Sequence, residues 1–426
     1  MALTIFLVML CLLLLGFPMM IPMLVATMVG FIVYFPMLKA DIIVQQMISG
    51  ISPVALITVP MFILAADIVT RGHTANRLLD LAMTFFGHLR GGLAVTAAVA
   101  CTLFGAISGS TQATVVAIGG PIRPRMLKAG YDDSFTTALI INAADIAFLI
   151  PPSIGMIVFG IVGKVSIAKL FLAGIGPGVT ILLMFSAYSV WYAWRKKIPI
   201  LPRSGWGDRF RAVRKAILAA MFPVLIVGGL YGGYFSPTEV AAVAVLYAFI
   251  LEVFIYRAVK LSDIPSIAYS TGLITGIVFV LVGTGAAFSW IISFAQVPQQ
   301  LIATLGLASA GPYTILLAIS VAFFVGCMFV DPIVVTLILT PIFMPLVRSA
   351  GIDPVLVGTI VTLQMAIGSC TPPFGCDIFT ACAIFRKPYM DVIRGTPPFI
   401  LMLMLVSVLL VLVPDIALLL PRLAYQ

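Results

Sequence analysis

"IAFLIPPSIGMIVFG", residues 146–160, places two consecutive prolines inside a run apolar enough to cross a membrane. Proline removes a backbone donor and its ring clashes with the preceding turn, so the pair must break a helix. Broken backbone at membrane depth is tolerated only where it is buried in protein or lines a cavity, because hydrocarbon offers no water to its peptide groups. A second stretch, "MAIGSCTPPFGCDIF" at 365–379, repeats the arrangement in a similar apolar run.

Working outward, the whole chain shares this character. It is 62% hydrophobic and 9% charged over 426 residues, with a mean hydropathy of +1.20. No soluble domain hides that much apolar surface, so the chain is a polytopic membrane protein. At roughly 20 residues per spanning helix, about ten to twelve crossings or re-entrant pieces are expected. The net charge of +9 reads as Lys and Arg retained in cytoplasmic loops, not as a nucleic-acid footprint. The opening "MALTIFLVMLCLLLLGFPMMIPM" has no basic leading region and no small-residue cleavage site, and is expected to be a mature membrane segment. The six cysteines show no CxxC spacing and are read as packing residues. His73 and His88 support no metal site or catalytic triad, so no enzyme is expected.

Sliding the chain on itself until Pro151 and Pro152 fall on Pro372 and Pro373 aligns much more than the prolines. In the same register Ala129, Gly130 and Asp132 meet Ala350, Gly351 and Asp353, and Gly174 and Pro177 meet Gly395 and Pro398. Coincidence at Gly, Pro and Asp together marks an internal duplication. Charge orients the copies. "RKKIPILPRSGWGDRFRAVRK" (195–215) holds eight Lys or Arg against one Asp, and the first copy's "RPRMLKAG" holds Arg123, Arg125 and Lys128. Both loops are therefore cytoplasmic. The matching loop of the second copy holds only Arg348 and falls outside, so the copies are expected to be inverted, as in many secondary transporters.

Each copy also has a polar, Gly-containing centre between apolar arms, at 98–122 and 318–343. The arms look too short to span separately, which suggests a re-entrant helical hairpin whose tip stops in mid-membrane. Half-helix ends at such tips and breaks offer carbonyls to cations and N–H groups to anions. "SGSTQAT" (108–114) clusters Ser108, Ser110, Thr111, Gln112 and Thr114, oxygen ligands that suit a hard cation. Asp145 precedes the first proline pair, Asp377 follows the second, and Asp331 sits at the second tip. Intramembrane carboxylates are costly and point to function. Asn142 and Gln364 flank the same breaks, either binding substrate or linking helices. By contrast, Ser236 and Glu239 in "YGGYFSPTEV" read as a structural helix start.

At "GHLRGGLAV" (87–95), "GAISGST" (105–111), "IPPSIGMIVFG" (150–160), "GGYFSPTEVAAVAVLYA" (232–248), "GCMFVD" (326–331), "ILTPIFMPLV" (338–347) and "GIDPVLVGTIVTLQMAIGSCTPPFG" (351–375), the chain resembles the large membrane subunit of tripartite ATP-independent periplasmic (TRAP) transporters. The likeness runs in order over nearly the whole chain. It implies an all-α, inverted-repeat elevator fold of the ion-transporter type, in the bacterial inner membrane. It implies Na⁺-coupled import of an organic acid, such as a dicarboxylate or sialic acid, with no other cofactor. Its partners would be a small four-helix membrane subunit and a periplasmic substrate-binding protein. The organisation implied is scaffold helices and an arm over 1–84 and a first transport repeat over 85–195, with hairpin 98–122 and broken helix 134–162. The basic loop and scaffold helices follow over 196–260, then a scaffold helix and arm over 261–311. The second transport repeat is 312–426, with hairpin 318–343 and broken helix 354–385.

Carried over, one Na⁺ site would use Ser108, Gly109, Ser110 and Thr111 with Asn142, Asp145, Pro151 and Ser153. The other would use Gly326, Met328 and Asp331 with Gly368, Thr371, Pro372 and Gly375. Substrate would meet Gln112, Thr114, Asp331, Gln364 and Asp377. The sequence departs from the family at Asn142, Asp145 and Phe148, at Asp377, and in the tip "SGSTQAT", where "SGSAVAD" is frequent. The added carboxylates suit H⁺ participation or a substrate with a cationic group. A stand-alone Na⁺- or H⁺-coupled anion carrier keeps the same fold without the partners.

Overall fold

The computed structural model describes residues 2–37, 39–304, 306 and 310–425. They form helices and connecting loops, with no strand among them. Seven helices among the described residues are long and apolar enough to cross a membrane. Pro397–Leu412 and Asp415–Ala424, bent by 59° at the break between them, make an eighth if taken as one span. Shorter apolar helices, among them Gly92–Ser108, Ile154–Gly163, Pro354–Ser369 and Cys376–Phe385, supply the remaining pieces.

The helix Ile264–Phe294 is a central column. It packs on Met20–Tyr34, Asp41–Ile51 and Thr58–Arg71, and also on Pro332–Ser349. Between helices in lipid, attraction comes from close packing, so small residues sit where backbones approach. Gly50 lies directly against Ala286, and a Cβ on Gly285 would meet Leu337 at 3.0 Å. Glu252 ties two further elements together. Fully buried, it accepts from the His73 N–H at 3.0 Å and the Thr74 N–H at 3.1 Å, capping the helix Thr74–Phe86. Helix Pro237–Phe249 starts as the sequence suggests: Ser236 and Glu239 form a reciprocal capping box.

The duplicated sequence is carried into matching elements. Helix Gly92–Ser108 ends at a turn, and a return arm follows over 111–128; helix Pro312–Phe329 ends at a turn, and Pro332–Ser349 returns. The register set by the prolines pairs the ends of these elements: Ser108 with Phe329, Thr111 with Pro332, and Lys128 with Ser349. Ser110 caps the first return arm through the Ala113 N–H, and Asp331 caps the second through the Ile333 N–H. Gly130 and Gly351 both take positive φ, 94° and 68°, after the return arms. Beyond them, Asp133–Ala144 and Pro354–Ser369 run to the two proline breaks, and Ile154–Gly163 and Cys376–Phe385 resume.

One expectation needs correction. The arms of the second pair extend well beyond 318–343, and each is 18 residues long and apolar enough to cross by length alone. At 1.5 Å per residue that is about 27 Å. Shortness of the arms therefore does not by itself make this pair re-entrant.

Candidate functional site

At the first tip Gly109 takes φ +60°, a left-handed conformation that glycine adopts at no steric cost. A Cβ there would lie 2.6 Å from the Pro152 carbonyl oxygen, so the tip rests directly on the first proline break. The tip is knitted internally: Ser108 Oγ and Thr114 Oγ1 are 3.2 Å apart, and Thr114 Oγ1 donates to the Ser110 carbonyl at 2.8 Å. Ser153, just past the prolines, accepts from the Met156 N–H at 3.3 Å and caps the resuming helix. Ser108, Thr114 and Ser153 are all fully buried.

At the second tip the contact is a hydrogen bond. The Phe374 N–H, just past Pro373, donates to the Met328 carbonyl at 3.2 Å. Gly368 presses on Cys327 of the same tip; a Cβ would sit 2.8 Å from the Cys327 carbonyl oxygen. Thr371 Oγ1 returns to the Ile367 carbonyl at 2.5 Å, satisfying a group freed by the break. Both proline–proline bonds are cis.

The two copies also touch each other. Thr111 Oγ1, on the first tip, donates to Asp377 Oδ1 of the second broken segment at 2.9 Å. Asp145 is fully buried, and the Asp377 carboxyl and the Cys370 thiol lie within hydrogen-bonding reach of its carboxyl. Asn142 Oδ1 is buried without a hydrogen-bond partner. Unpaired buried oxygen acceptors of this kind cost several kcal/mol, on the order of 1–3 each and more when charged. These buried oxygens are a donor set suited to a small hard cation.

A cavity of about 430 Å³ lies between the second tip and the second break, reached also by the first tip. Gln112 and Asp331 line it, with Phe329, Phe374, Phe379 and Thr380. None of the described lining residues is Lys, Arg or His.

Several sequence-selected residues do other work. Gln364 points away, its Nε2 donating to Ser407 Oγ at 2.6 Å and linking Pro354–Ser369 to Pro397–Leu412. Thr114 faces Ser108 inside the tip, not the cavity. Gly326 allows the arms of the second pair to approach, since a Cβ would meet Val335 at 2.8 Å. Phe329, Phe374 and Phe379 were not singled out by sequence. The repeat holds the signal that could have found two of them. Its register pairs Phe329 with Ser108 and Phe374 with Ser153, so aromatic rings replace hydroxyls at both tip and break. The thiols of Cys327 and Cys376, read as packing residues, also border this cavity.

A sequence model described as "Tripartite ATP-independent periplasmic transporter, DctM component" matches residues 6–416. The chain belongs to this family. It is 63% identical over 427 residues, all of both chains, to the ectoine/5-hydroxyectoine TRAP transporter large permease protein UehC of Ruegeria pomeroyi. It is 61% identical to the ectoine TRAP transporter large permease protein TeaC of Halomonas elongata, over 97% of each chain. The C4-dicarboxylate TRAP transporter large permease protein DctM of Pseudomonas aeruginosa is 35% identical over 86% of each chain. Among solved structures, the YdaH transporter of Alcanivorax borkumensis aligns with a TM-score of 0.66 at 16% identity, over 88% of this chain and 89% of that one. That likeness concerns the fold alone. As a TRAP large permease the chain is a multi-pass inner-membrane protein and not an enzyme. It works beside a small membrane subunit and a substrate-binding protein.

Proposed function

We propose that this chain is the large permease of a Na⁺-coupled importer of ectoine-type solutes. These are small rings that carry a delocalised amidinium cation and a carboxylate and are neutral overall. The observation that carries the reading is full-length 63% identity to a permease named for ectoine and 5-hydroxyectoine, against 35% to one named for C4-dicarboxylates. Site chemistry supports it. A dicarboxylate entering the 430 Å³ cavity would meet Asp331 and no basic side chain among the described lining residues. A zwitterion would not suffer that repulsion. The organic acid expected from sequence thus becomes one that also bears a cation. Family membership sets the stand-alone carrier aside.

In the mechanism, the periplasmic binding protein delivers solute, and the small subunit, a four-helix protein by family resemblance, joins the scaffold. Na⁺ enters the oxygen-rich cluster where the first tip meets its break, Ser108–Thr111 with Asn142, Asp145 and Ser153. The solute occupies the cavity where the second tip, Gly326–Asp331, meets its break, Gly368–Gly375. Na⁺ beside Asp145 and Asp377 offsets charges that hydrocarbon would otherwise penalise. Loaded, the two tip–break units cross as one body in an elevator movement against the scaffold column. The copies' opposite orientation lets the same parts close on either side. Each net charge moved gains roughly 2.3 kcal/mol per 100 mV. Reconstitution of the permease and small subunit with the binding protein, followed by labelled ectoine uptake under an imposed Na⁺ gradient, tests the reading. Uptake should need inward Na⁺ and resist excess succinate. Na⁺-independent uptake would remove the coupling, and succinate uptake in place of ectoine would remove the substrate.

A further inference from the structure

The cavity between the second tip and the second break combines aromatic rings with a single carboxylate, Asp331. Phe329, Phe374 and Phe379 line it, and each is about half exposed, at 50%, 58% and 49%. The rings are held in place from behind. Phe374 is tied through its N–H to the Met328 carbonyl, and its ring centroid lies 6.2 Å from that of Phe329. Phe379 packs on Tyr389 at 5.7 Å, and the Tyr389 hydroxyl donates to the Pro373 carbonyl at 2.9 Å. Asp331 faces the same space. Its Oδ1 is fixed by the Ile333 N–H at 2.9 Å, so the carboxylate is oriented before any ligand arrives.

Charge around this wall has one sign. Asp377, Asp331 and Asp145 all lie within electrostatic reach of Cys376, at the cavity edge. A π face attracts a cation through its negative quadrupole, most strongly when water is excluded. Rings alone would suit any apolar ligand, and a carboxylate alone would suit any donor. Together, with no basic residue among the described lining groups, they select a weakly hydrated organic cation. Gln112, on the opposite tip, is the lining amide able to donate to a carboxylate on the same ligand.

We infer that Phe329, Phe374 and Phe379 with Asp331 form an aromatic–acid box that binds the cationic group of the transported solute. The box discriminates zwitterions from dianions within the permease itself, independently of the binding protein. This rests on the reading of the chain as an importer of zwitterionic solutes, and it assigns the selectivity to named residues.

The test uses the permease with its small subunit in nanodiscs, in a Cys11→Ser, Cys382→Ser background. Cys376 is then the one thiol not fully buried among the described residues. Its alkylation by N-ethylmaleimide is followed by mass spectrometry at saturating Na⁺, with ectoine, glycine betaine or succinate as protectant. Both zwitterions should slow alkylation and succinate should not. Phe374→Leu and Phe379→Leu should each raise the half-protecting concentration of both zwitterions about tenfold. Phe374→Tyr, which keeps a ring, should change it by less than about threefold. If one Leu variant fails to co-purify with the small subunit, Phe329→Leu takes its place. Equal protection by succinate, no protection by either zwitterion, or Leu variants that protect like the parent would overturn the box. Ectoine protection without ectoine uptake would instead sink the proposed function and leave the box standing. Uptake with protection insensitive to the Leu variants would do the reverse.

Discussion

The two tip–break junctions descend from one sequence pattern and have diverged in chemistry. The first is sealed and rich in oxygen: Ser108, Thr114, Ser153, Asn142 and Asp145 are all buried. The second puts Phe329 where the first has Ser108 and Phe374 where it has Ser153, and it opens onto a cavity. The backbone is shared, since both tips lie against their breaks and both return arms carry side-chain caps. Duplication supplied the same scaffold twice, and the side chains then divided the work. On the reading proposed above, the closed junction holds the ion and the open one holds the solute. Asp377 bridges them, because it belongs to the second copy and accepts from Thr111 of the first.

The largest effect should come from breaking the closed junction. Asp145→Asn keeps the shape and replaces a buried carboxyl oxygen by an amide nitrogen that cannot ligate a cation, and should lower Na⁺-driven uptake about a hundredfold, with membrane insertion intact. Initial rates in proteoliposomes, beside a size-exclusion profile, check this. Next, Gly109→Ala should separate the first tip from its break. It combines a left-handed backbone costing about 1–2 kcal/mol with a contact to the Pro152 carbonyl that cannot relax. Uptake should fall about thirtyfold, whereas Val330→Ala, at the equivalent extended position, should change it less than about threefold. Phe374→Ser gives the open junction the residue of the closed one. The KM for ectoine should rise about tenfold, with the Na⁺ requirement unchanged.

The smallest effect tests a difference outside the membrane. Asp353 caps its own helix through the Val355 N–H at 2.8 Å. Its counterpart Asp132 instead binds Lys196 at 2.7 Å and the Tyr192 hydroxyl at 2.6 Å. The Lys196 ammonium, helped by that hydroxyl, holds the Asp132 carboxyl below its usual range. A depressed carboxyl stabilises the fold above its ordinary pKa, and the gain is lost as pH falls through the lowered value. Asp132→Ala should therefore cost about 0.5 kcal/mol at neutral pH, since the pair is exposed, and nothing in acid below that value. Thermal denaturation in detergent at the two pH values measures it.

Much of this was legible in the sequence. The double prolines announced broken helices, and Gly, Pro and Asp at a fixed displacement announced the duplication. Three polar tip positions, Thr111, Gln112 and Asp331, do meet the second broken segment or its cavity. What stayed hidden has physical causes. Gln364 sits on Pro354–Ser369, whose residues from 355 onward are all buried. With every face buried, no periodicity tells which way one side chain points. The cavity phenylalanines were camouflaged among 29 in a chain whose lipid-facing surface is also aromatic and aliphatic. The ends of the second pair of arms are not legible, because apolar residues flank the tip far in both directions and hydropathy marks no end.

The central claim is that the closed junction binds the ion and the open junction binds the solute. It is tested most directly by measuring ectoine KM at saturating Na⁺, and Na⁺ half-saturation at saturating ectoine, in Asp145→Asn and Phe374→Ser proteoliposomes. The account predicts a crossed result: Asp145→Asn shifts the Na⁺ constant and Phe374→Ser shifts the ectoine constant. Equal shifts of both constants in both variants would contradict it.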